Sequence, residues 1–130
     1  MTAQMLYHGT STPRLKLILE ENCLRRQGFG GFPNPKVSFT PERYVAEYWA
    51  KVSATADRDP RNRVPDGADA EPVVLLFDAE VLAGKYTLMP FSDPIWGEGE
   101  CDWECELYSR RSIKPLRKVL VSIEQVEAAA

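Results

Sequence analysis

Leu6-Tyr7-His8-Gly9-Thr10-Ser11, followed at once by Thr12-Pro13, is the stretch on which the reading of this chain turns. Met5-Leu6-Tyr7 is a short apolar run that meets a histidine and a glycine. It reads as a first strand closing in a tight turn over His8-Gly9-Thr10. Ser11 or Thr12 then caps a helix with Pro13 at its first position. Leu15, Leu17, Ile18 and Leu19 give that helix an apolar side to about Asn22.

Working outward, Gln27 to Pro35 holds three glycines and two prolines and reads as a loop. Val37-Ser38-Phe39 is a second short strand. Thr40-Pro41-Glu42 repeats the cap, proline and acid signature of a helix start. Tyr44, Val45, Tyr48, Trp49 and Val52 recur at helical spacing, so the second helix is expected to end near Val52. Ser53 to Glu71 is polar and reads as a long surface loop. Val73-Val74-Leu75-Leu76-Phe77 is a continuous apolar run, the mark of a buried central strand. One helical turn over Glu80 to Leu82, stopped by Gly84, and a strand from Tyr86 to Met89 follow. Pro90 to Asp102 is a second loop. Strands over residues 103–108 and 116–123 close the chain. Strand, helix, strand, helix and then mostly strands is the order of an α+β fold.

The bulk numbers limit the function. A chain of 130 residues with 44% hydrophobic content is expected to be one domain, 1–130, with its own core. A net charge of -3 argues against broad electrostatic attraction to nucleic acid or anionic membrane. It leaves room for a local basic patch, and five cations lie between Arg110 and Lys118. Cys23, Cys101 and Cys105 are an odd number, no signal peptide is expected from the opening residues, and no apolar run nears the ~20 residues of a membrane span. A reduced, cytoplasmic setting is expected. With one histidine, no credible zinc ligand set exists, and no metal is expected.

Four features stand out: the Pro90 to Asp102 loop, where Trp96 is a candidate for choosing the partner or part of a plain connector, and three places where chemistry concentrates. His8 beside Gly9 sets an imidazole next to bare backbone, and Thr10 adds a hydroxyl, a group suited to a ribose and an amide. Tyr44, Tyr48 and Trp49 on the second helix are either core or the wall of a slot for a flat heterocycle. On the strand Trp103-Glu104-Cys105-Glu106, residues two apart share a face, so Glu104 and Glu106 point the same way about 7 Å apart. Paired acids can divide labour, one stabilising positive charge and the other acting as base.

In this order the three places resemble the ADP-ribosyltransferase superfamily. Leu6 to Ser11 looks like its first-strand histidine motif. Val37-Ser38-Phe39-Thr40 with Ala46 to Ala50 looks like its second block, and Asp102 to Glu106 like its glutamate strand. The first two blocks are closest to the small rifamycin-modifying bacterial members and to poly-ADP-ribose polymerases. The resemblance implies a split β-sheet with a central NAD cleft, and a monomeric enzyme that transfers ADP-ribose from NAD to an acceptor, with a protein the leading choice. It implies that His8 bonds the adenosine ribose and that Gly9 backbone grips the nicotinamide carboxamide, with Thr10 and Ser38 beside them. Many relatives carry tyrosine where Ser38 stands, so stacking would fall to Tyr48 or Trp49. The spacing of arginine-modifying members points to Glu106 as the catalytic glutamate, and polymerase-like spacing from Ile113 points to Glu104, which is slightly favoured. Two alternatives remain: an RNA 2'-phosphotransferase using Arg14, Arg25, Arg26 and Arg43, and a non-catalytic module binding NAD or ADP-ribose.

Overall fold

The computed structural model describes residues 4–26, 36–90 and 107–126. In chain order these form β1 (Met5–Ser11), α1 (Thr12–Glu21), β2 (Val37–Phe39), α2 (Arg43–Arg58), β3 (Pro72–Asp78), α3 (Ala79–Lys85), β4 (Leu88–Pro90), β5 (Leu107–Ser109) and β6 (Leu120–Gln125). Short 3-10 turns lie at Pro60–Asn62, Gly67–Asp69 and Leu116–Lys118. The strands make two small antiparallel sheets, ordered β1-β3-β6 and β2-β5-β4. The described residues are therefore α+β, and their sheets do not close into a barrel.

β3 lies between β1 and β6 with both faces covered, which is why Val73 to Phe77 is apolar without alternation. One face carries Leu75 and Phe77. It packs with Leu6 of β1, Ile18 of α1, Val37 and Phe39 of β2, Leu82 of α3, and Ile113 and Leu116. Phe39 meets Phe77 edge to face at 5.2 Å between ring centres. Burying rings of this size contributes roughly 1.5–3 kcal/mol each. The other face carries Val74 and Leu76 and packs against Ala46 and Ala50 of α2 and Val126.

Several elements differ from their sequence expectation, each for a physical reason. The first strand does not turn at His8-Gly9; it continues to Ser11, paired with β3 along its length. The second helix runs to Arg58 rather than Val52, because its buried stripe is made of small residues. Ala46, Ala50 and Ala54, four apart, face inward and are followed by buried Asp57. The larger row, Tyr44, Tyr48 and Val52, is exposed at 56%, 59% and 41%. Of the polar stretch expected as one loop, the first part is therefore helix, and two 3-10 turns order much of the rest. One turn is capped by Asp59, whose carboxylate accepts from Arg61 N at 3.0 Å. α3 passes through Gly84, whose Cα faces open space, and is capped by Asp78 accepting from Glu80 N and Val81 N. β4 starts at Leu88, two residues later than expected. Residues 116–118 are a 3-10 turn rather than the start of the last strand, which runs from Leu120 to Gln125.

Candidate functional site

β1 belongs to the first sheet, yet it also touches the second. Tyr7 N–H donates to Thr40 O at 2.8 Å, and Thr40 N–H donates to Tyr7 O at 2.9 Å. Among the described residues this is the one backbone bridge between the sheets, and past it β1 and β2 make no further backbone pairing, which leaves a fork. Alternation along a strand tells where the neighbouring backbone groups point. Tyr7 directs its N–H and C=O toward β2, whereas Thr12 donates to Glu71 O beside β3. Gly9, two residues beyond Tyr7, therefore directs its N–H and C=O toward the open side of the fork. By the same rule Ser38 on β2, two residues before Thr40, directs its backbone groups inward.

His8 spans the fork. Its Nδ1 lies 2.7 Å from Ser38 O. A carbonyl oxygen only accepts, so Nδ1 carries the proton. Protein surrounds the ring while part of its surface still meets solvent. Burial lowers its pKa below the ordinary 6.5, and the bond to Ser38 opposes this more weakly. At neutral pH the ring is uncharged and Nε2 is an acceptor. Nε2 has no hydrogen-bond partner among the described residues. Phe39 steadies the ring at 6.1 Å between centres.

The bare Cα of Gly9 has a different role from the one its sequence suggests. A Cβ there would fall inside van der Waals contact with the Ala46 carbonyl oxygen and 2.8 Å from Ala50 N. The missing side chain lets α2 lie against β1, and the space is filled by helix backbone rather than left for a ligand. What Gly9 offers the fork is its N–H and C=O.

The remaining candidates separate. Thr10 lies on the His8 face of β1 and is 4% exposed. On α2, Arg43 pairs with Glu124 of β6, so the Arg43–Glu47 flank of the helix leans toward β6. Arg43 also lies 5.9 Å from the Tyr7 ring of β1, and helical spacing puts Trp49 on the opposite flank of α2. Tyr48 projects away from the sheet and contacts Trp49 edge to face at 5.2 Å. Glu104 and Glu106 lie outside the described residues, directly before Leu107, where β5 begins. β5 meets the fork through the pairing of Tyr108 with Ser38. Three of the arginines suggested for a phosphate site are engaged separately: Arg14 with Asp57, Arg25 with Glu21, and Arg43 with Glu124. Among the described residues, no group of three or more His, Cys, Asp or Glu side chains could hold a metal ion.

One polar cluster has no counterpart among the sequence expectations. Asp57, 2% exposed, accepts a hydrogen bond from Ser11 Oγ and is gripped by Arg14, whose Nη2 donates to Oδ1 at 3.0 Å. It explains why Ser11 does not cap α1 with its side chain. Its signal is there in the chain: Asp57 continues the Ala46-Ala50-Ala54 stripe at helical spacing. Comparison with known proteins leaves the site to be read on its own chemistry, because no family model, curated protein or solved structure matches the chain.

Proposed function

We propose that the chain binds NAD at the fork between β1 and β2, breaks the bond between nicotinamide and ribose, and passes ADP-ribose to an acceptor. The observation that carries this reading is the complementarity of two adjacent residues. Gly9 directs a donor and an acceptor to the same side, the pair that a carboxamide requires. His8, neutral and held by Ser38, offers Nε2 to a ribose hydroxyl. Because Ser38 supplies no ring, we assign the flat heterocycle to an aromatic of α2, Trp49 rather than the more exposed Tyr48.

The chemistry asks little of the protein beyond a placed carboxylate. When the glycosidic C–N bond breaks, its electron pair goes to the pyridinium nitrogen and nicotinamide leaves neutral. The ribose is left with oxocarbenium character, which a fixed carboxylate stabilises. The acceptor then attacks the same carbon and gives up its proton to a second carboxylate. We assign the first role to Glu104 and the second to Glu106.

The test is nicotinamide release and transfer of labelled ADP-ribose, assayed separately in Glu104→Gln and Glu106→Gln. Glu104→Gln is expected to lower release by about 100-fold or more, on the order of a lost charge-stabilising group. Glu106→Gln is expected to spare hydrolysis and abolish transfer. Release at the wild-type rate in both variants would overturn the reading. Binding of NAD by the wild type without any release would make the chain a binding module.

A further inference from the structure

We propose that Arg110 to Lys118, with Arg26 beside it, is a binding face for the phosphate backbone of nucleic acid. This face is separate from the fork and stands without the NAD reading. The segment holds five cations and no acidic residue, in a chain of net charge -3. Every third side chain anchors it: Ile113, Leu116 and Val119 are at most 4% exposed. Arg110, Arg111, Lys114, Arg117 and Lys118 are consequently turned outward and are all exposed.

The backbone of this ridge is pinned rather than loose. Leu24 and Ile113 exchange two backbone hydrogen bonds of 2.9 Å. Arg117 N donates to Asn22 Oδ1 at 2.9 Å, and Lys114 N donates to Tyr86 Oη at 2.9 Å. Arg26 reaches the ridge from the end of α1, its backbone N donating to Ser112 Oγ and its guanidinium to Arg110 O. Arg111 rests 5.8 Å from the Tyr86 ring centre. A pinned backbone loses little further entropy when the ridge meets a partner.

What sets these cations apart is that they are clustered on one ridge and unpaired among the described residues, whereas the other unpaired cations, such as Lys51, Arg63 and Lys85, lie singly. Arg14, Arg25, Arg43, Arg58 and Arg61 each face a carboxylate. Arg26 and the five ridge cations form no ion pair with any described residue. Six like charges on one ridge repel and bring the fold no gain. Their complement is a row of anions. The ridge presents no exposed large apolar side chain; Leu17, Tyr44, Tyr48, Val52, Val81, Val121 and Ile123 all lie outside it. That disfavours a membrane surface, which is entered by apolar residues, and a protein interface, which needs an apolar centre. A phosphate backbone needs only cations, and guanidinium groups match phosphate in two-point geometry.

The test is fluorescence anisotropy with a fluorescein-labelled duplex of about 20 base pairs between roughly 50 and 200 mM salt. Wild-type affinity is expected to fall steeply with salt, with a log-log slope of about -5 for six cations at ~0.9 per phosphate contacted. The triple variant Lys114→Gln, Arg117→Gln, Lys118→Gln is expected to bind on the order of tenfold more weakly or worse, with a slope shallower by about 3. Unchanged thermal melting would show that the fold is intact. Should that variant not fold, Arg110→Gln with Arg26→Gln gives the same test with two contacts removed. Absence of duplex binding by the wild type at the lowest salt would overturn the proposal. Equal affinity and slope in the variant, or preference for phosphatidylserine vesicles over the duplex, would overturn it too.

Discussion

His8 and Gly9 are neighbours on one strand and live in opposite surroundings. The Cα of Gly9 is pressed against the backbone of α2, where no atom could be added. The imidazole of His8 reaches the opposite way, across a gap between two sheets, and keeps one nitrogen unpartnered among the described residues. The first arrangement stabilises and the second is left available. β1 is thus a stability element on the face that meets α2 and, under the proposed function, a recognition element along its outer edge. A test of this division is that changes on the first side should unfold the protein, and changes on the second should spare the fold while removing binding.

Gly9→Ala should have the largest effect. Its new methyl group meets backbone atoms of Ala46 and Ala50, which cannot rotate aside as a side chain can. Either α2 lifts from β1 or the strand bends, at a cost of about 3 kcal/mol or more. Urea denaturation measures it. A loss under about 1 kcal/mol would mean that α2 has room to move and that the contrast is weaker than drawn.

Asp57→Ala should come next. It leaves the Ser11 hydroxyl, which is fully buried, without its partner and Arg14 without its carboxylate. Because the Arg14 side chain is 38% exposed, water can rescue it, and the expected loss is about 2–3 kcal/mol. Asp57→Asn, which keeps a bond to Ser11, should lose about half of that. Equal losses in both variants would show that charge rather than hydrogen bonding holds the cluster.

Gly9 and Asp57 also mark how far local sequence reaches into this fold. The central strand and the start of α1 are legible, since Val73 to Phe77 and the Thr12-Pro13 signature depend on local chemistry alone; the Thr40-Pro41-Glu42 signature announces α2, but the helix begins at Arg43 with Glu42 at the cap position. His8 and Gly9 are legible as a candidate site, yet their local pattern suggests a turn where the strand continues. The atoms that explain Gly9 belong to Ala46 and Ala50, far along the chain, and close packing of glycine on alanine has no local signature. The same alanines hide the end of α2, since a stripe of small residues is a weak apolar signal beside exposed tyrosines. The order of the strands in space, and the fork that follows from it, depends on pairings such as Tyr7 with Thr40 that no local pattern encodes.

On the other side of the contrast, His8→Ala should barely change the fold. It removes one hydrogen bond to Ser38 O, a stability loss of about 1 kcal/mol. The loss of NAD affinity should be larger, about 1–3 kcal/mol, for one ribose hydrogen bond. Calorimetry and denaturation together decide the matter. A variant that unfolds but retains affinity would place His8 with Gly9 as a packing residue.

The smallest expected effect separates the two sides by pH. Burial lowers the His8 pKa in the folded chain below the 6.5 of an exposed histidine. As pH falls, the unfolded chain therefore takes up this proton before the folded one. Above 6.5 neither state is protonated there, and the stability contributed by His8 is complete. Below that point it declines, by at most about 1.4 kcal/mol per pH unit, until the folded-state pKa is passed. The stability advantage of wild type over His8→Ala should therefore shrink between about pH 7.5 and 5.5, while titrations common to both proteins cancel. A difference that stays constant with pH would show that the ring is not shielded in the fork. Binding should respond in the same direction. Protonation turns Nε2 from an acceptor into a donor, so NAD affinity of the wild type should fall on acidification, while that of His8→Ala should change less. If the two affinities fall in parallel, the ribose hydroxyl is not accepted by His8, and the open edge of β1 must recognise its ligand through Gly9 alone.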